Sequence, residues 1–466
     1  MADGVELAAS LFLPDAAEPQ PCLLEALPYR KDDLTSSYAE SYRVLRDTYG
    51  YAVCRLDLRG TGSSAGEATD EYPLIERTDI CAVIDWLAEQ EWCDGNIGMF
   101  GTSYSGFNSL QVAAERPAAL KAVCAIYSSD DRWTDDVHWR GGALRLVDLV
   151  DYCHYMTPMC VLPPVPGEWP ADAERDWRAE WRHRLETNEP WVLTWLRENR
   201  DGQYWRNGSL RLADGEGYDR IQAAVLLVSG WADGYRNNSF RTIEALGRAG
   251  VPHRLLAGPW AHADPATAIP GPRIDLDVEM AAWFDRWLRG RVPDGAPHHD
   301  RADLFVRTST VPEPDLDLHE GAWVSGPWPP AQARTERRDL DGPRPLRVEP
   351  DVGISAWIDC AGHLPWGLSG DQREDDARSL TWDSPPPEAP VVGQPRIRLR
   401  LSADAPAVSL SVKLCDVFPD GTSALVARGT LDLAFRSGST PSPLTPGEEF
   451  EVDLLLDACA YQWSPG

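Results

Sequence analysis

The stretch IGMFGTSYSGFNSLQVAAERPAALKAV, Ile97 to Val123, sets the reading of the whole chain. An apolar run enters it, a serine sits between glycines, and a helix-like segment follows. Strand Ile97–Phe100 leads into Gly101-Thr102-Ser103-Tyr104-Ser105-Gly106, and Tyr104 to Glu115 suits a helix that ends before Pro117. A strand–turn–helix of this kind can lift a serine Oγ to the top of a sheet and turn the next amide toward a developing oxyanion. A serine hydroxyl is a poor nucleophile unless a base, an orienting acid and oxyanion donors surround it. The hexapeptide alone also suits a plain glycine-rich turn. Ser105 stands where G-x-S-x-G would have its second glycine.

Around this stretch, strand-like and helix-like segments alternate. PCLLEALPY and YAVCRLDLRG are short apolar runs bounded by turn residues. Leu74 to Gln90 carries Ile80, Val83, Ile84 and Leu87 at helical spacing. LKAVCAIYSS is the next strand. Such alternation implies a parallel sheet covered by helices. From Asp130 to about Gly217 tryptophans crowd in and helix-like segments dominate, which reads as a helical insertion. The first pattern then resumes with strand AAVLLVSGWADG, helix NSFRTIEALGRAG, strand HRLLAGPWAH and helix DLDVEMAAWFDRWLRG. RVPDGAPHHDRAD is a linker. Beyond it, short alternating runs separated by Gly, Pro and Asp turns form a β-sandwich pattern. The expected organisation is 1–129 and 218–292 as one α/β domain, 130–217 as its helical cap, and 300–466 as a C-terminal β domain.

An acid and a histidine follow in the order such a serine requires. Asp233 sits just past VLLVSGW, and His262 lies 29 residues on, just past RLLAGPWA. Both positions are carboxyl ends of expected parallel strands, where sites of α/β sheets lie. The remaining histidines are weaker candidates. His138, His154 and His183 precede the acid, His253 starts a strand, and His298, His299, His319 and His363 lie in the linker or the β domain.

Composition narrows the function classes. Of 466 residues, 43% are hydrophobic and 25% charged, the proportions of an ordinary globular protein. Asp and Glu number 73 against 44 Lys and Arg, a formal charge of −29, which argues against nucleic acid and anionic membrane as partners. The start, MADGVELAASLFLPDAAEPQ, lacks a basic n-region and so does not read as a secretion signal. The cysteines are scattered without a C-x-x-C pair, which suits reduced thiols in a cytoplasmic protein.

At this point five stretches carry a resemblance: LPYRK (Leu27–Lys31), LDLRGTGSSAG (Leu56–Gly66), GTSYSG (Gly101–Gly106), GWADG (Gly230–Gly234) and GPWAH (Gly258–His262). In this order they resemble the cocaine-esterase and X-Pro dipeptidyl-peptidase family of serine hydrolases, also called CocE/NonD hydrolases. VKLCDVFPDG (Val412–Gly421) resembles part of that family's C-terminal jelly roll. The resemblance implies an α/β-hydrolase fold with a helical cap and a C-terminal β-sandwich, Ser103, Asp233 and His262 as catalytic triad, and no metal or organic cofactor. It makes the family elbow G-x-S-Y-x-G, so Ser105 is no departure. It also implies an oxyanion hole from the Tyr29 hydroxyl and the Tyr104 amide, a role that spacing alone could not show. The glycines of LDLRGTGSSAG read as a structural loop, held by an Asp57–Arg59 ion pair.

The expected substrate is a small ester, or an amide, with an apolar or aromatic acyl group. Trp133, Trp139, Trp231 and Trp260 are candidate pocket walls, although any one of them also suits core packing. Asp130, Asp131, Asp135 and Asp136 at the cap entrance could bind an amine, or form a solvated acidic face. Gly234, Tyr235 and Arg236 follow the acid, where α-amino-acid ester hydrolases carry extra carboxylates. A dipeptidyl-peptidase-like peptidase, an acyltransferase or cyclase using the same acyl-enzyme, and an inactive binding scaffold are the alternatives. The family's C-terminal domain continues past a P-G-H-R stretch, whereas this sequence stops at YQWSPG. The expectation is a sandwich short of its last strands, with an open edge prone to aggregation or to pairing as a homodimer.

Overall fold

A computed structural model describes the chain except for residues 137, 212–215, 293, 294, 296, 297, 357–366, 465 and 466. His363 therefore lies outside the described residues.

The strands run β1 (Ala9–Phe12), β2 (Gln20–Leu27), β3 (Ala52–Asp57), β4 (Cys93–Thr102), β5 (Leu120–Ile126), β6 (Ala224–Gly230), β7 (His253–Gly258) and β8 (Arg301–Thr308). They lie side by side as β1-β3-β2-β4-β5-β6-β7-β8, all parallel except β1. The parallel strands are buried on both faces along most of their length, so they read as nearly continuous apolar runs. Alternate residues still go to opposite sides. Val123 and Ala125 of β5 join the cluster formed with Ile80, Phe107 and Ile243, from helices Leu74–Ala88, Tyr104–Glu115 and Arg236–Ala249. Ala122, Cys124 and Ile126 join that of Leu45, Met280 and Phe284, from helices Ala39–Asp47 and Leu276–Leu288.

Between β5 and β6 the chain builds helices Leu146–Val161, Trp177–Thr187 and Trp191–Arg197, with shorter ones after them and a two-residue ladder, Trp139–Arg140 with Ala143–Leu144. Their shared interior is aromatic: Trp133, Trp139, Trp191, Trp195 and Trp205 pack together with Leu149 and Met156.

The C-terminal strands are not a separate body. β8, which the linker reading left in the β domain, pairs in parallel with β7. Strand Cys459–Gln462 then pairs in parallel with β8, through Arg307↔Tyr461 and Thr308↔Gln462. Ladders Arg396–Leu401 with Phe450–Leu455, and Ser409–Val417 with Ser423–Asp432, enclose the β domain's own core around Val426, Val452, Leu454 and Tyr461. Among the described residues no helix is long and apolar enough to cross a membrane.

Candidate active site

Ser103 closes β4 and caps the helix that starts at Tyr104, with φ +62° and ψ −113°. A side chain rarely occupies that region, and holding one there costs about 1–3 kcal/mol. Its neighbours enforce the bend. Ser103 N donates to Ile126 O at 2.8 Å, and Phe107 N donates to Ser103 O at 2.9 Å. A Cβ on Gly106 would lie 2.9 Å from both Gly101 O and Ile126 O, and one on Gly101 would lie 2.1 Å from Ser105 Oγ. The glycines are thus demanded by close approach. Tyr104 opens the helix, so its amide has no intrahelical acceptor.

Two buried carboxyl groups pin the elbow from below. Ser105 Oγ donates to Glu25 Oε1 at 3.0 Å, and the Tyr42 hydroxyl donates to the same carboxyl group. The Tyr104 hydroxyl donates to Glu76 Oε2 at 2.9 Å and accepts from Tyr72 N at 3.1 Å. Burial raises both acids, Glu76 to about 8. A glycine in place of Ser105 could not make the first contact.

Asp233 follows β6 and His262 follows β7, so both project beyond carboxyl ends of neighbouring strands, on the same side as Ser103 beyond β4. Asp233 is fully buried; its Oδ2 lies 2.5 Å from His262 Nδ1, and its Oδ1 accepts from Tyr235 N at 2.8 Å. The imidazole is partly exposed, with the rings of Tyr127 and Tyr235 packed 5.5 and 5.6 Å away.

Tyr29 lies just past β2, the neighbour of β4. Its ring meets Tyr104 edge-on at 6.1 Å and Tyr155 of the cap at 5.6 Å. Burial pushes its hydroxyl well above the ordinary phenol range, so it is a neutral donor. The loop behind it is tied down: Thr35 Oγ1 donates to Tyr29 O at 2.9 Å, and Lys31 N donates to Asp57 Oδ1 at 2.8 Å. This corrects the expected Asp57–Arg59 pair. Asp57 is fully buried and accepts from the amides of Lys31 and Ser63, while Arg59 pairs instead with the buried Asp79 and the exposed Asp3. The LDLRGTG loop is therefore a brace for the Tyr29 segment, a role no local spacing announces.

Other expectations change on contact with the packing. Asp130 and Asp135 form no solvated face: Arg241 binds both at 2.6 Å, and Tyr218 also donates to Asp130. Trp133 and Trp139 stack at 4.6 Å within the cap's interior. Trp231 stacks on Phe240 and donates to Phe305 O at 2.7 Å, and Trp260 donates to Pro272 O at 2.8 Å, so both serve the body of the α/β domain. His138 is buried in the cap beside Glu71 at 3.3 Å, and burial lowers His319 to about 4.

Residues 3–264 match the family described as X-Pro dipeptidyl-peptidase (S15 family). The chain belongs to the S15 family. Residues 301–466 match its companion, the X-Pro dipeptidyl-peptidase C-terminal non-catalytic domain. The S15 chain is 28% identical to the cocaine esterase of Rhodococcus sp. (strain MB1 Bresler), an alignment covering 100% of this chain and 88% of that protein. Solved structures agree in fold. A CocE/NonD family hydrolase of Staphylococcus aureus has TM-score 0.67 at 18% identity, over 99% of this chain and 81% of its own. An aminopeptidase from a marine sediment archaeon, Thaumarchaeota archaeon, has TM-score 0.70 at 19% identity, over 99% and 85%. This S15 protein is a serine hydrolase with an α/β-hydrolase fold and a C-terminal β domain.

Proposed function

We propose that the protein hydrolyses a small carboxylic ester through an acyl-enzyme on Ser103. The Asp233–His262 contact of 2.5 Å, at carboxyl ends of strands of the same parallel sheet whose strand β4 leads into the serine elbow, carries this reading. His262 Nδ1 is engaged by the carboxylate, which leaves Nε2 to take the Ser103 proton as Oγ attacks the acyl carbon. Asp233 fixes the tautomer and stabilises the imidazolium. The Tyr29 hydroxyl and the Tyr104 amide donate to the oxyanion. The leaving alcohol departs with the proton from His262. Water, deprotonated by the same imidazole, then releases the acid and frees Ser103.

The substrate class follows from what surrounds the triad. Tyr29, Tyr104 and Tyr155 give the oxyanion side an aromatic wall, which suits an apolar or aromatic acyl group. Cap residues Trp133 and Trp139 back that wall in our reading. A free α-amino group is disfavoured, because Gly234, Tyr235 and Arg236 follow the acid and the nearby Asp130 and Asp135 are already paired with Arg241. The similarity to a cocaine esterase along the whole chain supports esters ahead of peptides. We read the C-terminal strands as a jelly roll and the protein as cytoplasmic.

A fluorophosphonate probe tests the proposal. The purified protein should be labelled on Ser103, read by peptide mass spectrometry, and Ser103→Ala should abolish both labelling and ester hydrolysis. A folded wild-type protein that does not label would overturn the triad.

A further inference from the structure

Asp233 is only as well aimed as the turn that carries it. That turn, Trp231 to Arg236, joins β6 to helix Arg236–Ala249. Arg236 folds back over it, with Nη1 donating to Trp231 O at 2.5 Å. Its Nη2 donates to Asp457, a residue of the C-terminal β domain. The next residue is gripped as well: Asn237 Nδ2 donates to Asp457 Oδ1 at 3.0 Å, and Asn237 Oδ1 accepts from Ala458 N at 2.8 Å. From the cap, Arg140 also donates to Asp457, and Arg428 N lies 3.3 Å from Asp457 Oδ2. Asp457 is 1% exposed. Three separate parts of the molecule thus converge on one buried carboxylate.

We propose that Asp457 is a positioning residue for catalysis: by anchoring Arg236 and Asn237 it fixes the turn that aims Asp233 at His262. This rests on the triad reading above. It gives the C-terminal domain a part in the chemistry through Arg236 and Asn237. Burying a charge is costly unless it is fully paired, and two partners of Asp457, Arg236 and Asn237, open the helix that starts three residues after the acid.

The charge makes the role testable. Arg140, Arg236 and Arg428 face Asp457 directly, Arg307 and Cys459 interact with both Asp457 and Arg236, Arg145 interacts with Arg428, and Asp135 lies 3.8 Å from Arg140. Removing the Asp457 charge leaves the Arg236 guanidinium uncompensated behind the acid–base pair, which disfavours the imidazolium. Removing the Arg236 charge does the reverse. The acid limb of kcat/KM against pH reports that group in the free enzyme.

The experiment follows p-nitrophenyl acetate hydrolysis by the full chain as wild type, Asp457→Asn and Arg236→Gln. Asp457→Asn should lower kcat by about 10- to 100-fold with KM little changed, and should move the acid limb to lower pH. Arg236→Gln should move it to higher pH. If Asp457→Asn does not fold, the Arg236→Gln shift alone decides. Profiles that superimpose on wild type, with only the melting temperature reduced, would overturn the proposal and leave Asp457 as structural. Wild-type protein whose Ser103 does not label would overturn the triad reading itself, a result distinct from a labelled wild type with unshifted variants.

Discussion

Ser103 holds a backbone conformation that costs energy, and the contacts that hold it there are unusually specific for one residue. Two glycines allow the approach, two amide bonds lock it, and Glu25 and Glu76 brace the next two side chains. Tyr29 reaches the same place from another strand. If its hydroxyl supports the oxyanion, Tyr29→Phe will lower kcat by about 10²–10³-fold while KM changes little. Steady-state kinetics on an activated ester checks this, and an unchanged kcat would remove Tyr29 from the mechanism. At this scale the sequence was informative where chemistry is local. GTSYSG, Asp233 and His262 each stand next to a recognisable strand end. It was silent where a residue acts across the fold: Asp57 bracing the Tyr29 loop, or Arg241 neutralising Asp130, has no signature in its own neighbourhood. Tryptophan positions stay ambiguous for a related reason, since an aromatic near a motif reads the same whether its ring faces a pocket or a core.

Among the elements, the elbow helix shows how burial couples to pH. Glu76 supports this helix through Tyr104, and burial raises its carboxyl to about 8 from an ordinary 4.5. Below 4.5 both folded and unfolded forms carry the proton. Between 4.5 and 8 the folded form keeps it and the unfolded form loses it, so stability falls as pH rises through that window. Glu71, raised to about 7, and Asp57, raised to about 6, add slope of the same sign. Glu76→Gln keeps an acceptor for Tyr104 and removes the titration. Its melting temperature should match wild type near pH 4.5 and exceed it by roughly 2 °C or more at pH 8.5, as a thermal-shift series across pH would record. The alternation of strands and helices that positions these elements was legible because each parallel strand is buried on both faces, which writes itself as an apolar run. The place of β8 was not, because a strand that follows a linker looks the same whether it closes one sheet or opens another.

For the whole molecule, the sheet continues through β8 into strand Cys459–Gln462, and Asp432 N donates to Gly141 O of the cap ladder at 2.8 Å. With Asp457 at the junction, α/β domain, cap and β domain should melt together. Scanning calorimetry should show one transition, with calorimetric and van't Hoff enthalpies in agreement; two resolved transitions would mean the β domain is independent. The clamp also has a consequence in time. Asp457 follows Arg236 by 221 residues. Chains grow at about 5–20 residues per second, so some 10–45 s separate the birth of the acid loop from the arrival of its anchor. If Asp457 positions the acid as proposed, a chain that has grown past His262 would hold Ser103, Asp233 and His262 without the support that aligns them, and activity would wait until the distant anchor is made.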